Sequence, residues 1–130
     1  MIEYRSDRCP EPAVVAELCR AALLNRPVED LDRIGRMYAA SNLVFTAWQG
    51  DRLVGVLRGW TDGAFDAYIC DLAVHPDVQR QGVGRRLLEL ACQNQPQVQF
   101  ILRASPIARD YYQHLGWQKI ENGWFQPRTS

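Results

Sequence analysis

Apolar residues recur at intervals of three and four in the first third of the chain. Residues 12–24 are rich in helix formers and begin with Pro12, whose missing N–H costs little in the first turn of a helix. In residues 25–41 the apolar side chains fall on one helical stripe, formed by Val28, Leu31, Ile34 and Tyr38. The pattern predicts two helices, preceded by a short strand over residues 2–5.

The middle of the chain changes to β-rich runs that are separated by turn signals. Residues 43–60 contain two such runs around the sequence QGD, which is typical of an antiparallel hairpin. Residues 64–74 follow a second turn and are mostly apolar apart from Asp66 and Asp71, as expected for a central strand covered on both faces. The three runs predict an antiparallel meander.

The last third of the chain alternates between helix and strand patterns. It predicts a helix from about Gly82 to Gln93, a strand over residues 97–104, a short helix over 106–116 ending at a left-handed Gly116, and a hairpin or strand over 117–127. The crossover before residues 97–104 is long enough for parallel pairing with the central strand. We therefore predict one α/β domain over residues 1–130, with a mixed, mostly antiparallel sheet, a central parallel strand pair and flanking helices.

The composition excludes some classes of partner. The 130 residues are 47% hydrophobic and 23% charged, as in an ordinary folded domain, and 15 basic side chains balance 15 acidic ones. This zero net charge argues against nucleic acid as the main partner. No stretch reaches the ~18 consecutive apolar residues of a membrane helix, and the N-terminus lacks a signal-peptide pattern. We therefore expect a cytoplasmic protein with no membrane partner.

The cysteines do not indicate a metal site or a disulfide framework. They are scattered along the chain, without a C-x-x-C pair and without a histidine at zinc-ligand spacing, as Cys9, Cys19, Cys70 and Cys92. We expect reduced thiols that mostly pack, and no bound metal.

The segment HPDVQRQGVGRRL, residues 75–87, carries the strongest chemical signal. It joins the predicted central strand to the next helix, where the first backbone N–H groups have no partner within the helix. The helix dipole adds partial positive charge there, and glycines at 82 and 84 let an anion approach the backbone. We therefore predict a phosphate-binding loop, supported by the charges of Arg80, Arg85 and Arg86.

Two known phosphate motifs do not fit this loop. A nucleotide P-loop needs Lys and then Ser or Thr directly after its last glycine, where this chain has Arg85 and Arg86. A dinucleotide fingerprint needs a third glycine where Leu87 stands, and an acidic residue ~20 positions further on, where this chain has none. These differences argue against a kinase, an ATPase and an NAD-binding enzyme.

The sequence QRQGVG, residues 79–84, fits the pattern Gln/Arg-x-x-Gly-x-Gly/Ala and resembles the pyrophosphate loop of the GNAT superfamily of N-acetyltransferases. Residues 71–89, DLAVHPDVQRQGVGRRLLE, are similar to that family's strand, loop and helix core. Residues 104–117, ASPIARDYYQHLGW, are similar to its second signature, which holds an aromatic-Tyr pair and ends in Gly-aromatic. The resemblance covers about residues 43–117 and is particularly close to small bacterial and plastid members that resemble arylalkylamine acetyltransferases.

The resemblance implies acetyl-CoA as co-substrate and the primary amine of a small molecule as acceptor. It assigns the coenzyme's diphosphate chiefly to main-chain groups of Gln79, Arg80, Gln81, Gly82, Val83, Gly84 and Arg85. It assigns the pantetheine arm to main-chain groups that become free where the central strand splays from its neighbour, in Leu72, Ala73 and Val74. A further cofactor contact, often made by Asn in relatives, falls on the shorter hydroxyl side chain of Ser105.

The resemblance also suggests catalytic roles. The N–H of Val74 would stabilise the oxyanion, a contribution of ~3 kcal/mol to the barrier, and Tyr112 would act as general acid, typically worth ~10²–10⁴-fold in rate. The alternative for Tyr112 is packing, although Tyr111 is expected to be the packing residue because adjacent helical positions point about 100° apart. Asp71 interrupts an apolar strand and is a candidate to attract the amine or relay its proton; the alternative is a structural carboxylate bound to a backbone or arginine group.

Other polar and aromatic residues have weaker assignments. Asp62 is a candidate for the substrate mouth, although an aspartate in a turn more often binds its own backbone. An aromatic wall suited to an aryl or alkyl amine is a second hypothesis, with core packing as the alternative, for Trp60, Phe65 and Trp124.

Three functions remain open at this point. The first is acetyl transfer to a small amine; the second is a non-catalytic acyl-CoA sensor; the third is a protein or peptide N-acetyltransferase. Relatives are often dimers, so the resemblance is compatible with a homodimer.

Overall fold

The computed structural model of the chain describes residues 1–106 and 108–130. Within these residues the elements are, in chain order, β1 (Glu3–Arg5), α1 (Pro12–Ala21), α2 (Leu31–Ala39), β2 (Leu43–Gln49), β3 (Arg52–Thr61), β4 (Asp66–Val74), a 3-10 turn (Pro76–Val78), α3 (Val83–Cys92), β5 (Gln99–Leu102) and α4 (Arg109–His114). None of the described helices is long and apolar enough to cross a membrane.

The first two helices begin and end for local reasons. Pro12 occupies the first position of α1, and Leu23 stops it earlier than predicted because its backbone is left-handed, with φ 59°. Asp30 caps α2, since its Oδ1 accepts the N–H of Arg33 at 3.0 Å.

The strands form one five-stranded sheet in the order β1-β2-β3-β4-β5. The first four strands pair antiparallel, and β4 pairs parallel with β5. This arrangement confirms the predicted mixed sheet, and α3 is the crossover helix between its two parallel strands.

Each face of the sheet is covered by helices. One buried cluster packs α3 against β2, β3 and β4, and it includes Val54, Leu57, Ile69, Val83 and Leu87. The other packs α1 and α2 on the opposite face, and it includes Val15, Leu18, Ile34, Val56 and Ala73. The loop predicted to bind phosphate, which precedes α3, therefore belongs to the first face.

A β-bulge in β4 changes the face of the sheet on which its side chains lie. Arg58 pairs with Asp71 and Gly59 with Ile69, so Cys70 is an extra residue on β4. Ile69 consequently packs on the α3 side, whereas Asp71 and Ala73 lie on the side of α1 and α2. A side chain at Gly59 would collide with the backbone carbonyl of the opposite strand, so this position requires glycine.

The C-terminal region differs from the prediction. Helix α4 is present, and Gly116 after it has a positive φ of 91°, as predicted, while Ile107 in the predicted segment lies outside the described residues. The hairpin or strand predicted over residues 117–127 is wrong, because this segment forms no strand. Apart from Trp117, its side chains are exposed, and Trp124 is 96% exposed, so packing does not favour pairing there.

Candidate functional site

The two parallel strands separate and leave part of β4 without a partner on that side. Pairing between β4 and β5 covers Asp66 to Ile69 only, and no strand lies beside residues 70–74 on that edge within the described chain. His75 directly follows β4, and its N–H donates to the Val54 carbonyl of β3 at 2.8 Å. The amide groups of His75 therefore point toward β3. Because amide directions alternate along a strand, those of Ala73 face β3 and those of Leu72 and Val74 face the open edge.

The loop before α3 presents unpaired N–H groups. Arg80 and Gly82 are both left-handed, with φ 68° and φ 77°, so the backbone curves into a concave turn. The first backbone bond of α3 is donated by the Arg86 N–H to the Gly82 carbonyl, at 2.9 Å. Among the described residues no acceptor is found for the N–H groups of Val83, Gly84 and Arg85. These donors and the helix dipole form a concave, electropositive segment whose chemistry suits an anion, and we call it the cradle.

Charge and polarity around the cradle are favourable for an anion. Arg80 is exposed, and the guanidinium groups of Arg85 and Arg86 approach Glu89 only loosely, at 3.6 and 3.7 Å. Gln79 connects the cradle to the open strand edge, because its Nε2 donates to the Val74 carbonyl at 3.3 Å. The cradle and the edge are thus parts of one site.

The two tyrosines of α4 have different surroundings. The hydroxyl of Tyr111 lies 3.0 Å from where a Cβ of Gly84 would be, so it stands at the cradle. Tyr112 packs against the α3-side core and meets Trp117 edge to face, with ring centroids 5.9 Å apart. It also lines a groove of about 700 Å³ between β5, α4 and the segment that follows α4. The expectation that Tyr111 is the packing member of the pair is therefore wrong.

Burial affects the acidity of both phenols. It raises the pKa of Tyr112 to about 12, with a further contribution from neighbouring Tyr111. Burial also raises the pKa of Tyr111, and the positive charge of Arg85 opposes that effect. Both hydroxyls therefore keep their protons at neutral pH.

Asp71 lies at the centre of a buried ion-pair network. Its Oδ2 accepts from Arg58 Nε at 2.7 Å and from the Tyr38 hydroxyl at 3.2 Å, and its Oδ1 accepts from Arg26 Nε at 2.6 Å. Burial alone would raise the pKa of this 1%-exposed carboxylate, but the hydrogen bonds and charges of Arg58 and Arg26 hold it below its usual value. Both oxygens are engaged, which favours the structural alternative for Asp71 over a proton relay.

The two arginines of this network differ in accessibility. The Arg58 side chain is 3% exposed and is held by further hydrogen bonds to Ser41 Oγ at 3.2 Å and Cys70 Sγ at 3.0 Å. The Arg26 side chain is 24% exposed, and its Nη2 donates to the Cys70 carbonyl at 2.7 Å. Sequence analysis missed both, because Arg26 meets Asp71 across 45 positions and neither arginine belongs to a motif.

The remaining candidates are not brought to the site. Asp62 accepts the N–H groups of the three residues 64–66 at 2.7–3.1 Å, so it holds its own turn. Trp60 stacks on Tyr68, with ring centroids 6.4 Å apart, and Phe65 is 68% exposed, so no common wall with Trp124 is formed. Ser105 is also exposed, and its Oγ accepts the Ala108 N–H at 3.3 Å.

No group of three or more metal-ligating side chains occurs among residues 1–106 and 108–130. The described site therefore consists of main-chain donors, arginines and tyrosines. Such a set can bind a diphosphate, pair with an extended amide-containing chain along β4, and supply a phenolic proton.

Several known proteins resemble this chain in sequence. The family model described as an acetyltransferase (GNAT) domain matches residues 22–125. The uncharacterized N-acetyltransferase ycf52 of Gracilaria tenuistipitata var. liui is 29% identical over 101 residues, which are 72% of this chain and 54% of that protein. The chain spans about half the length of the curated relatives it matches first.

Solved structures share the fold over nearly the whole chain. A probable acetyltransferase from methicillin-resistant Staphylococcus aureus superposes with a TM-score of 0.83 at 22% identity, covering 98% of this chain and 99% of that one. The aminoglycoside N-acetyltransferase AAC(6')-Iy, solved in complex with CoA, gives a TM-score of 0.73 at 16% identity, covering 100% and 96%. At these identities the likeness concerns the fold alone. With the family model matching most of its length, the chain belongs to the GNAT acetyltransferase family.

Proposed function

We propose that this chain transfers an acetyl group from acetyl-CoA to the primary amine of a small molecule. The observation that carries the proposal is the continuity between the cradle and the open edge of β4, which Gln79 joins by its hydrogen bond to the Val74 carbonyl. A diphosphate with a long amide-containing arm matches both parts at once. A homodimer and a cytoplasmic location stay predictions.

The chain's own groups would hold the coenzyme in two ways. The N–H groups of Val83, Gly84 and Arg85 would bind the diphosphate, and Arg80 would add charge at the rim. The outward amide groups of Val74 and the carbonyl of Leu72 would pair with the pantetheine arm as a neighbouring strand does, which leaves the Leu72 N–H for the thioester. Ala73 would contribute little through its backbone, because its amide groups face β3.

The oxyanion is better assigned to Leu72 than to Val74. The side chain of Val74 lies 3.5 Å from the Cβ position of Gly84, which puts this residue at the cradle end of the cleft. The thioester lies at the other end of the pantetheine arm, so the donor for its carbonyl oxygen should be deeper along β4. The next outward N–H in that direction belongs to Leu72.

The reaction would then be a direct attack on the thioester. The neutral amine nitrogen forms a bond to the carbonyl carbon, the Leu72 N–H stabilises the oxyanion, and the carbon–sulfur bond breaks to leave an amide and a thiolate. Tyr112 would give its proton to that thiolate and then regain a proton from water, which completes the proton balance. Since both oxygens of Asp71 are engaged, we assign the amine's proton to water and not to this carboxylate.

A matched pair of glycine variants tests the cradle. Gly82 and Gly63 have similar left-handed backbones, with φ 77° and φ 73°, and a Cβ at either position meets nothing within 4 Å. Alanine at either position should cost about the same ~1 kcal/mol of stability. Only Gly82→Ala should also weaken coenzyme binding, by about tenfold or more, because only its methyl group enters the cradle.

The measurements are calorimetric titration with acetyl-CoA and release of free thiol in the presence of an amine panel. We expect binding, and thiol release with at least one amine. Absence of binding to the unaltered protein would overturn the proposal. Binding without thiol release from any small amine or peptide would instead identify an acyl-CoA sensor, and release with peptides only would identify a peptide acetyltransferase.

A further inference from the structure

We propose that Arg26 recognises an anionic group, a carboxylate or a phosphate, on the acceptor amine. The inference rests on the proposed acetyl transfer and names the class of acceptor that the site would select. It is carried by the position, the accessibility and the charge balance of the Arg26 guanidinium.

Arg26 lies at the end of the cleft where an acceptor must enter. From the cradle inward, the outward-facing groups of β4 belong to Val74 and then Leu72, and the next carbonyl, at the bulge, belongs to Cys70. Arg26 Nη2 binds that Cys70 carbonyl at 2.7 Å. The guanidinium therefore stands one step beyond the Leu72 N–H.

Arg26 also approaches β4 from the side opposite to the cradle. It belongs to the connection between α1 and α2, and its partner Asp71 lies on the face that these helices cover. The coenzyme would occupy the α3 side, so the amine must reach the thioester from the other side. Arg26 is thus on the acceptor's path.

The charges at this point do not balance. Asp71 is the only carboxylate within salt-bridge distance of Arg26 or Arg58 in the part of the chain that the structure describes. Two guanidinium groups and one carboxylate leave one positive charge in excess. Arg58 is 3% exposed and bound on all sides, so the accessible share of that charge lies on Arg26, which is 24% exposed.

Arg26 has donors left for a ligand. A guanidinium carries five N–H groups. Its Nε, Nη1 and Nη2 each make one hydrogen bond, to Asp71, to the Asn25 carbonyl and to the Cys70 carbonyl. Among the residues that the structure describes, two of its N–H groups have no acceptor, enough for a paired contact with a carboxylate or a phosphate.

This charge predicts which amines are used. An amine with a nearby carboxylate or phosphate would gain a charge-assisted contact, whereas a polyamine or a simple arylalkylamine would meet an uncompensated cation. Trp60 stacks on Tyr68 and Phe65 is exposed, so the predicted aromatic wall for an uncharged aryl group is not formed by these residues. The expected substrates are amino acids or small phosphorylated amines.

Matched amine pairs test the inference on the unaltered protein. The pairs are phenylalanine and phenethylamine, tryptophan and tryptamine, and phosphoethanolamine and ethanolamine, compared by kcat/KM from thiol release. The anionic member of at least one pair should be favoured by about 10- to 100-fold, as expected for one charge-assisted contact. A preference for the first two pairs identifies a carboxylate, and a preference for the third a phosphate.

Two variants then assign the preference to Arg26. Arg26→Gln should remove it, mainly through KM for the anionic amine, and Arg26→Lys should restore part of it. Arg20→Gln is the control, because Arg20 is an exposed arginine of the same region that binds Glu29 and the Val28 carbonyl. The control should keep the full preference.

The outcomes separate the two proposals. If acetyl-CoA does not bind, the proposed function fails. If binding and turnover occur but the uncharged member of every pair is used equally well or better, only the role of Arg26 is overturned. The same conclusion follows if Arg26→Gln keeps the preference. If that variant does not fold, Arg26→Lys, which keeps the charge but loses the paired donors, should show a reduced preference, and full retention of the preference in Arg26→Lys would overturn the role of Arg26.

Discussion

At the scale of single residues, the neighbouring tyrosines of α4 show how position on a short helix separates two roles. Tyr111 places its hydroxyl at the cradle, whereas Tyr112 packs on Trp117 and the α3-side core. Burial raises the pKa of Tyr112 to about 12, so the phenol is protonated at neutral pH. Because an ordinary thiol has a pKa of ~8.5, a free thiolate is the weaker base, and the proposed transfer requires the site to raise the basicity of the departing sulfur. The proposed general acid is thus also part of the packing.

Tyrosine-to-phenylalanine variants separate these roles. Tyr112→Phe should lower kcat by about 10²-fold and leave coenzyme affinity unchanged, because it removes a proton donor and keeps the ring. Tyr111→Phe should instead alter coenzyme affinity with little effect on kcat. Steady-state kinetics and calorimetric titration of both variants provide the comparison.

The pH profile of the unaltered protein gives an independent check. A group whose pKa is raised stays protonated below that pKa, so Tyr112 should donate throughout the range from pH 6 to about pH 10. The rate should rise as the amine loses its proton and should not fall again below about pH 11. An alkaline fall near pH 9 in the wild type that Tyr112→Phe leaves in place would exclude this tyrosine as the acid.

At the scale of elements, β4 is a strand with two different edges. Along β3 it is paired from Ala67 to Val74 apart from the bulge at Cys70, but along β5 its pairing covers only Asp66 to Ile69. The free part of that edge leads directly to the cradle, so an extended ligand can continue the sheet. Binding along a fixed strand edge loses less conformational entropy than binding to a flexible loop, because the backbone of the edge is already ordered.

Hydrogen exchange can detect this alternation. In the free protein the amide of Ala73 should exchange slowly, while those of Leu72 and Val74 should exchange faster because they face the open edge. Adding acetyl-CoA should slow exchange at Leu72 and Val74 and leave Ala73 as it was. NMR-detected exchange resolves the three residues; equal protection of all three before acetyl-CoA is added would contradict the proposed pairing.

The sequence predicted the elements better than their contacts. The change from strand to helix patterns at Gly82 identified the cradle, because a positive φ and free N–H groups are local properties. Asp71 was recognised as unusual because it interrupts an apolar strand, but its partners could not be identified, since Arg26 lies 45 positions away. The bulge at Cys70 was also missed, because no periodicity indicates one extra residue.

At the scale of the whole molecule, the ion-pair network connects four parts of the fold. Asp71 of β4 binds Arg58 of β3, Tyr38 of α2 and Arg26 of the connection between α1 and α2. Removing one partner of a buried ion pair leaves the remaining charge without compensation. This costs more free energy of folding than having no ion pair at that position. The network therefore contributes to global stability as well as to the site.

Acid should remove this contribution. The pKa of Asp71 is lower in the folded protein than its usual value, so its stabilisation is present above about pH 4 and is lost as the pH falls through the folded value. At pH 7, Asp71→Asn should lower the free energy of unfolding by about 3–5 kcal/mol. The difference from the wild type should shrink below about pH 4.

Urea unfolding at several pH values measures this dependence. Asp32→Asn is the control, because Asp32 forms an exposed pair with Arg36 on the surface of α2. It should change stability little at any pH. An Asp71→Asn variant as stable as the wild type at pH 7 would show that the network does not depend on the carboxylate charge.

The absence of a side chain at Gly59 affects the orientation of Asp71 and the position of Arg26. A methyl group at this position would collide with β4, so glycine is what allows the bulge at Cys70. The bulge turns the side chain of Asp71 toward α1 and α2. With a regular strand, the same carboxylate would point under α3, and Arg26 would have no counterion to hold it at the cleft. The positive charge that Arg26 would present to an acceptor therefore depends on the glycine at position 59 of β3.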